Sequence, residues 1–469
     1  MGIFKAYDIR GVWGRDWDGR TARAIGRSLP GLLDAREICV GRDARLSSDE
    51  VFAAFADGVR EAGCGVADIG RCDTPAVYFA TARYGFDAGV MITASHNPAE
   101  YNGLKISGRE AVPVGYDAGL DRLEAMTSAL LAAEAAPVGE AAATPAATPA
   151  AAAGGLRTLA IRGDYLAHLA RFRDGIGDLK VVVDYSNGTG SVYFPGALEG
   201  LPCTVVPMFD EPDGRFPNHA PNPLVEANLD ALKARVLSEH ADLGLCFDGD
   251  ADRMMAVDEK GRYVSADLLI GLLARYYFQM HPDRLAGATR IVSYDIRSSR
   301  GVVEELERLG AEPRMCRVGH VFAKRLLRES GGIMGGELAG HYYFREHFYC
   351  DSALMAALLV LGILSREGRP LSELVAGIRR YHSSGELNFR VEDKDRIIAG
   401  VREAYRDGSL NELDGIRVDY PSWWFNVRKS NTEPLLRLVL EAASARELGR
   451  RTAELKTLFR SLDPSIAEE

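Results

Sequence analysis

The sequence lacks several features that whole classes of protein require. Its seven cysteines are odd in number and scattered, without C-x-x-C pairs or zinc-finger spacing, so neither a disulfide framework nor a cysteine metal site is predicted. The 66 Asp and Glu outnumber the 56 Lys and Arg, and the net charge of -10 disfavours nucleic acids and anionic membranes as partners. No apolar run is long enough to span a membrane, and the first residues lack the apolar core of a signal peptide. We therefore expect a soluble, cytoplasmic protein with reduced thiols.

A chain of 469 residues is too long for one hydrophobic core and indicates several domains. The clearest change in composition spans residues 129–155, which are rich in alanine, contain three prolines and end in two glycines. Because these prolines interrupt any continuous helix, we predict a linker or surface insertion that separates two domains.

A loose internal repeat is visible as three comparable sets of strands. Each set begins with a short apolar strand followed by a segment of helical periodicity, and a later apolar strand runs into a dense polar loop. The opening strands cover residues 38–43, 180–184 and 291–295, and the polar loops cover 94–97, 248–252 and 337–341. Strands that alternate with helices predict α/β domains, in which ligands bind beyond the carboxyl ends of the strands. The three loops are therefore expected to converge on one cleft.

The sequence changes character from about residue 386. Short apolar strands are predicted at 387–391, 416–419, 424–428 and 435–441, with helices at 394–405 and 445–458. Trp423 and Trp424 are expected to pack in a core or an interface. The tail is therefore predicted to form a smaller α+β domain.

Ser95 stands in residues 92–98 (ITASHNP), directly after an apolar strand that Pro98 prevents from continuing. With His96 beside it and Lys105 ten residues on, its hydroxyl is a candidate nucleophile or phosphate carrier, since serine oxygen needs a base or a cation to react. A strand-end turn, in which Ser95 and Asn97 bond their own backbone, is the simpler explanation of this run taken alone.

Three aspartates, Asp248, Asp250 and Asp252, alternate directly after the apolar segment 243–247. Carboxylates this close repel one another, and a hard cation such as Mg²⁺ relieves the repulsion with oxygen ligands. An EF-hand is disfavoured because Arg253 stands where that loop needs glycine and because a strand precedes the loop. A phosphotransferase of the haloacid dehalogenase type would use Asp248 as its nucleophile, but Asp252 suits metal ligation better.

Residues 428–432 (RKSNT), with Arg437 nearby, place guanidinium, hydroxyl, amide and backbone donors in one short loop. That combination matches the oxygens of a phosphate, which arginine can bind with two hydrogen bonds. A polar turn capped by Ser430 and Asn431 explains the same residues equally well.

Residues 336–341 (GELAGH) set a carboxylate and an imidazole between glycines that let the backbone approach a ligand. Glu337 could accept hydrogen bonds from sugar hydroxyls, although a glycine-rich connection is the simpler explanation of the segment alone. Weak single signals are residues 5–11 (KAYDIRG), Arg297 and His320.

In order, these motifs resemble those of the α-D-phosphohexomutase family, of phosphomannomutase and phosphoglucomutase type, over essentially the whole chain. The matching segments are AYDIRG (6–11), VGRD (40–43), TASHNP (93–98), YNGLK (101–105), DGDADR (248–253), GELAGH (336–341) and RKSNT (428–432). Any one of them could arise by chance, whereas their order and spacing together are highly specific.

The resemblance implies three related α/β domains with mixed sheets and a C-terminal α+β domain around a central cleft. The expected bounds are 1–155 for a phosphoserine domain that includes the insertion near 129–155, 156–258 for a metal-binding domain, 259–374 for a sugar-binding domain and 375–469 for a phosphate-binding domain. The expected protein is an isomerase that interconverts hexose 6-phosphate and hexose 1-phosphate through a phosphoserine and a 1,6-bisphosphate, with hexose 1,6-bisphosphate as activator. A monomer or a small homo-oligomer is expected.

The resemblance also implies roles for individual residues. Ser95 would carry the phosphate and bind Mg²⁺ together with Asp248, Asp250 and Asp252. The other catalytic groups would be Arg253, which steadies the phosphate, Lys105 and Arg10, which handle protons, and His96, which supports them. The phosphosugar would contact Tyr7, Arg297, His320, Glu337, His341, Arg428, Ser430, Asn431, Thr432 and Arg437. Of these, Glu337 would read the sugar hydroxyls, and Arg428, Ser430, Asn431 and Thr432 would clamp the distal phosphate.

Ala339 departs from the pattern of members that act on both mannose and glucose phosphates, which usually have serine there. The preference between the two sugars therefore stays open. His341 favours the phosphomannomutase/phosphoglucomutase group, but a phosphoglucosamine mutase shares this ending and is an alternative. Two other classes are an aspartyl-phosphate phosphotransferase that uses Asp248 and a catalytically silent sugar-phosphate-binding protein.

Overall fold

A computed structural model describes residues 2–135, 153–430 and 435–468. The chain forms two compact units, a first unit of residues 1–264 and 340–371 and a second unit of residues 265–339 and 372–469. Of the predicted insertion, residues 129–135 end a helix, 153–155 lead into a strand, and 136–152 lie outside the described residues. Among the helices that are described, none combines the length and the apolar character needed to cross a membrane.

The first unit begins with a six-stranded mixed sheet. Its elements are β1 (Ile9–Val12), α1 (Gly19–Leu33), β2 (Glu37–Arg42), α2 (Ser48–Glu61), β3 (Gly65–Arg71), α3 (Thr74–Tyr84), β4 (Ala88–Ile92), β5 (Tyr101–Gly108), α4 (Leu120–Ala135) and β6 (Leu156–Thr158). The strand order is β1-β5-β4-β2-β3-β6, with β5 antiparallel to both neighbours and the others parallel. Because β6 pairs with β3, the first sheet includes a strand that lies after residue 155, the expected end of the first domain.

The apolar core of this sheet packs under α1 and α2. β4 is buried along its whole length, as expected for a strand with both faces covered. The two helices cross closely at Gly26 and Gly58, where an added Cβ would lie 2.2 Å from Phe55 O and 2.0 Å from Arg23 O. Only glycine therefore fits at this crossing.

The first unit continues with a second mixed sheet. Its elements are α5 (Arg162–Ala170), β7 (Lys180–Asp184), α6 (Gly190–Leu198), β8 (Thr204–Met208), α7 (Asp230–Glu239), β9 (Leu243–Phe247), β10 (Met254–Asp258) and β11 (Tyr263–Val264). The strand order is β11-β10-β9-β7-β8. β7 pairs in parallel with β8 and β9, and β10 is antiparallel to β9 and β11. β11 extends this sheet past residue 258.

The second unit begins with a third set of parallel strands. Its elements are α8 (Ala266–Arg275), β12 (Ile291–Asp295), α9 (Arg300–Arg308), β13 (Glu312–Cys316), α10 (His320–Ser330) and β14 (Met334–Gly336), with β12 between the other two strands. The chain then returns to the first unit with an antiparallel hairpin, β15 (Tyr342–Phe344) and β16 (Cys350–Asp351), followed by the buried helix α11 (Ala353–Glu367). Helix α12 (Leu371–Ala376) leads back to the second unit.

The three sets repeat one path of strand, helix, strand, helix, strand, with the first strand in the middle: β3-β2-β4, β8-β7-β9 and β13-β12-β14. At the carboxyl end of each middle strand, a buried aspartate accepts a hydrogen bond from the N–H two residues on. These pairs are Asp43 with Arg45 (2.9 Å), Asp184 with Ser186 (2.8 Å) and Asp295 with Arg297 (2.7 Å). The loops with Ser95, Asp248 and Glu337 each follow the third strand of a set. The predicted repeat is thus present in both sequence and structure.

The second unit ends in an α+β fold. Its elements are β17 (His382–Arg390), α13 (Lys394–Ala404), β18 (Ser409–Asn411), β19 (Ile416–Asp419), β20 (Trp423–Lys429), β21 (Leu435–Ala442), α14 (Ala445–Leu462) and β22 (Ala467–Glu468). The strand order is β18-β19-β20-β21-β17-β22, and the pairs are antiparallel. Trp423 and Trp424 are both buried, as predicted. The predicted fold class, α/β domains with mixed sheets and a final α+β domain, is confirmed.

Candidate active site

Ser95 lies in the loop between β4 and β5, and the antiparallel pairing of these strands brings the loop back over the sheet edge. Its side chain is buried, and its backbone has a left-handed φ of +51°, a conformation that costs a residue other than glycine about 1–2 kcal/mol. Its Oγ donates a hydrogen bond to Asp248 Oδ2 (2.9 Å) and lies 3.2 Å from His96 Nδ1. The serine is therefore held against both an acidic group and an imidazole.

His96 is surrounded by cations. Burial lowers the pKa of His96 well below its usual value, and the charges of Arg253, Arg10 and Lys105 lower it further. Burial and these charges therefore favour the neutral imidazole, whose Nδ1 is the nitrogen nearest Ser95 Oγ.

The three aspartates lie in the turn between β9 and β10, with carboxylate oxygens within 4.8 Å of one another. All three are buried. Burial raises the pKa of Asp248 well above its usual value, and the charges of Asp252 and Asp250 raise it further. The flanking strands exclude the EF-hand alternative, which requires flanking helices.

The aspartate group fits a hard divalent cation. Asp250 Oδ1 and Asp252 Oδ1 are buried and accept no hydrogen bond from the described residues. Oxygen atoms of this kind are the ligands that Mg²⁺ prefers. A Cβ at Gly249 would lie 2.7 Å from Ser95 O, so the glycine lets this turn approach the serine loop closely.

Lys105 on β5 is the internal partner of the aspartate group. Its Nζ donates to Asp250 Oδ2 (2.6 Å) and also bonds Asp252. Burial alone would lower the pKa of Lys105, but the charges of Asp250, Asp252 and Asp248 outweigh burial and raise it. Thr74, the first residue of α3, also donates to Asp250 Oδ2 (2.6 Å). This oxygen of Asp250 therefore has two donors, whereas its other oxygen has none among the described residues.

Arg253 and His341 also lie beside the aspartate turn. Arg253 Nε donates to His341 Nε2 (3.0 Å) and lies 3.8 Å from Asp248 Oδ2. His341 Nδ1 lies 2.8 Å from Asp351 Oδ2. Asp351, on β16, thus lies within ion-pair distance of the imidazole that contacts Arg253.

Arg10 approaches the serine loop from β1, which pairs with β5. Its Nη1 donates to Asn97 Oδ1 (2.6 Å), and its Nη2 bonds Asp8. Tyr7 lies in the bend before β1 and is half-buried. The first unit therefore gathers Ser95, His96, Lys105, Arg10, Arg253, the three aspartates and His341.

The second unit holds another cluster of predicted site residues, centred on Glu386 of β17. Three guanidinium groups surround its carboxylate: Arg297 Nη1 at 2.9 Å, Arg428 Nη2 at 3.3 Å and Arg437 Nη1 at 2.8 Å. Arg297 also lies 3.8 Å from Glu337, which is buried directly after β14. This cluster can bind anionic oxygens.

Four other predicted site residues are His320, Ser430, Asn431 and Thr432. His320 is the half-buried first residue of α10. Ser430 follows β20, and its backbone N–H donates to Leu435 O (2.8 Å). Asn431 and Thr432 lie outside the described residues.

Sequence reasoning missed four polar partners of the site: Thr74, Asn97 as a partner of Arg10, Asp351 and Glu386. Thr74 follows Asp73, an N-cap residue at the start of a helix, which predicts the helix but not a contact with Asp250. Glu386 is an isolated carboxylate in the middle of β17, and Asp351 lies in a short hairpin. No local pattern marks either carboxylate.

Acid should weaken the second unit through Glu386. Burial alone would raise the pKa of Glu386, but Arg297, Arg428 and Arg437 lower it from the usual 4.5 to about 2. The stability that ionised Glu386 contributes is therefore present above pH 4.5 and is lost as pH falls towards 2. We expect Glu386→Gln to lower the free energy of unfolding by about 2–3 kcal/mol near neutral pH, measured by urea denaturation.

The matched control is Glu304→Gln, because Glu304 also accepts from an arginine of the second unit, Arg380 (2.9 Å), but at the surface. Its effect should stay below about 1 kcal/mol. The difference between the Glu386 variant and the wild type should shrink at acid pH. A difference that is constant from neutral to acid pH would contradict this assignment.

Four domain matches cover most of the chain. Residues 1–132, 163–261 and 265–381 match the alpha/beta/alpha domains I, II and III of phosphoglucomutase/phosphomannomutase, and residues 386–458 match its C-terminal domain. A curated relative described as "Phosphohexose mutases", from Xanthomonas campestris, is 39% identical over 463 residues, 97% of this chain and 99% of the relative.

Two further relatives agree. A phosphomannomutase/phosphoglucomutase of Pseudomonas aeruginosa is 35% identical over 470 residues, 98% of this chain and 95% of the relative. A crystal structure of a phosphoglucomutase/phosphomannomutase family protein from Burkholderia thailandensis has a TM-score of 0.85 and 31% identity, and the match covers 99% of this chain and 98% of that one. The chain is thus a hexose-phosphate mutase, an intramolecular phosphotransferase. As the motifs predicted, it belongs to the phosphoglucomutase/phosphomannomutase family.

Proposed function

We propose that this mutase interconverts the 6-phosphate and 1-phosphate of mannose, glucose or both through a phosphoserine at Ser95 and a hexose 1,6-bisphosphate. It would act in the cytoplasm, in keeping with seven cysteines that are all free. The observation that carries the proposal is the 2.9 Å hydrogen bond from Ser95 Oγ to Asp248, one of three clustered buried aspartates. A serine that only closed a turn would not need this partner.

Mg²⁺ would be held by Asp248, Asp250, Asp252 and the oxygen of Ser95. When bound, the cation would neutralise charge on the phosphoryl group. The three carboxylates support this assignment because they are buried and close together. Among the described residues, Lys105 is the one cationic side chain that forms hydrogen bonds with them.

In the proposed step, a sugar hydroxyl attacks the phosphorus of phosphorylated Ser95. The bond from phosphorus to the sugar oxygen forms, the bond to Ser95 Oγ breaks, and the hydroxyl proton passes to a base of the enzyme. Arg253 and Lys105 would stabilise the negative charge on the transferring group. His96 Nδ1, 3.2 Å from Ser95 Oγ, is placed to exchange a proton with that oxygen.

The product of this step is a bisphosphate, which then returns its other phosphate to Ser95. Arg10 would also take part in proton handling, and Tyr7 and His341 would contact the sugar phosphate. The arginines of the second unit would bind the phosphate that is not being transferred, together with Ser430, Asn431 and Thr432. Glu337 would accept hydrogen bonds from the sugar hydroxyls, and His320 would line the same region. Arg297, Arg428 and Arg437 support this role because they already surround a carboxylate, Glu386.

Sugar preference is tested with a coupled assay on mannose 1-phosphate, glucose 1-phosphate and glucosamine 1-phosphate, each with the matching 1,6-bisphosphate as activator. Comparable rates on mannose and glucose phosphates would show that Ala339 does not narrow specificity. Activity confined to glucosamine phosphate would replace the proposal with a phosphoglucosamine mutase.

The phosphorylated residue distinguishes the serine mechanism from one that uses Asp248. We expect an acid-stable phosphate that peptide mapping assigns to Ser95. A phosphate that hydroxylamine releases from Asp248 would instead identify an aspartyl-phosphate enzyme.

A further inference from the structure

Arg45, which follows β2, binds the loop that carries Ser95. Its Nη1 donates hydrogen bonds to Pro98 O (2.6 Å) and Tyr101 O (2.9 Å). Its Nη2 donates to Ser95 O (2.8 Å) and Asn97 O (2.6 Å). One guanidinium group thus binds four carbonyl oxygens of residues 95–101.

Arg45 is itself held in one orientation. Its side chain is completely buried, and its Nε donates to Asp43 Oδ2 (3.1 Å). Asp43 is fixed in turn by the hydroxyl of Ser48, which donates to Asp43 Oδ1 (2.6 Å). The guanidinium carbon lies 5.1 Å from the centroid of the Phe216 ring, which covers one face of the group. These contacts anchor the guanidinium to the end of β2.

The pattern of contacts requires arginine. Five acceptors, one carboxylate and four carbonyls, match the planar fork of N–H donors on a guanidinium, whereas a lysine ammonium has three donors and no plane. Ser95 has a left-handed φ of +51°, which serine adopts rarely. Arg45 bonds the carbonyl of that very residue.

We propose that Arg45 is a positioning residue that holds the loop so that Ser95 Oγ stays against Asp248. The proposal rests on the proposed function, because it takes Ser95 as the phosphate carrier. All four contacts of Arg45 with the loop are to main-chain oxygens, so it acts through the backbone and not on the reacting atoms.

The test is Arg45→Lys, with Arg42→Lys as the matched control. Arg42 ends the same strand, is partly buried and binds Asp49 (2.6 Å) and Asp68 (2.7 Å). We expect Arg45→Lys to lower kcat by about 100-fold with little change in KM, because a shift of about 1 Å in a reacting group costs about that factor. Hydrogen exchange of the amides of residues 94–102 should become faster in Arg45→Lys only.

If the Arg45→Lys and Arg42→Lys variants had the same kcat and the same hydrogen exchange of residues 94–102, the proposal would be overturned. If Arg45→Lys does not fold, Asp43→Asn removes the carboxylate that anchors Nε and should show a smaller loss of the same kind. If Asp43→Asn then had the same kcat and the same hydrogen exchange of residues 94–102 as the wild type, the proposal would be overturned. Failure of the proposed function has a different signature: wild-type enzyme would take up no phosphate on Ser95, while exchange in Arg45→Lys would still be faster.

Discussion

Replacing Ser95 with alanine should lower kcat of the mutase reaction by about 10⁴-fold or more, as loss of a nucleophile does in other group-transfer enzymes. Alanine removes the Oγ that lies 2.9 Å from Asp248 and leaves the backbone contacts of the loop in place. Affinity for glucose 6-phosphate, measured by calorimetry, should be retained. The loss should therefore appear in turnover and not in substrate binding.

The matched control is Ser107→Ala, because Ser107 is also buried in the first sheet and its hydroxyl bonds Gly89 O (3.2 Å). After incubation with glucose 1,6-bisphosphate, intact mass should show one added phosphoryl group in wild type and in Ser107→Ala, and none in Ser95→Ala. An Ser95→Ala enzyme that keeps kcat within about tenfold of wild type would rule out the phosphoserine mechanism.

The central strands could be predicted from sequence because they are short, continuous apolar runs. Residues 180–184, 243–247 and 291–295 coincide with β7, β9 and β12, which are buried on both faces. Exposed elements gave weaker signals. β18 has three residues, none of them buried, so no apolar alternation marked it.

Residues of the site that are neighbours in sequence could be predicted, whereas partners that meet only in the fold could not. The three aspartates lie within five residues of one another, and this spacing alone predicted a cation site. Thr74 reaches Asp250 across 176 positions, through the start of α3. Asp351 reaches His341 because β15 and β16 form a hairpin. Such contacts depend on how the strands and helices are arranged, so no pattern of neighbouring residues in the sequence indicates them.

The arginine cluster around Glu386 shows a different limit. The sequence presents Arg428 and Arg437 as cations available to a ligand, but in the fold they share the carboxylate of Glu386 with Arg297. Buried cations are costly without a counter-ion. The sequence pattern identified Arg428 and Arg437, and only the structure identified Glu386 as the carboxylate with which they pair.

Replacing Asp248 with asparagine should abolish activity and, without Mg²⁺, should leave the thermal midpoint equal to or above that of wild type. The three buried carboxylates repel one another, and the pKa of Asp248 is raised by burial and by the other two. Asparagine has the same shape and lacks the charge. Its side-chain oxygen can still accept the backbone N–H bonds of Asp252 and Arg253 (3.2 Å each).

Mg²⁺ should reverse the order of stability. A cation present at a hundredfold excess over its Kd stabilises the wild type by about 2.7 kcal/mol, and loss of a ligand should remove most of this gain in Asp248→Asn. Asp258→Asn is the matched control, since Asp258 is buried on β10 but is paired with Arg262 (2.8 Å). It should lower the thermal midpoint with and without Mg²⁺ and keep the full gain from the cation. A metal ligand at position 248 both repels the other two carboxylates and binds the cation, so Asp248→Asn must relieve the repulsion and lose the gain from Mg²⁺. If Asp248→Asn instead lowered the thermal midpoint and kept the full gain from Mg²⁺, as expected for Asp258→Asn, Asp248 would be a structural residue and not a metal ligand.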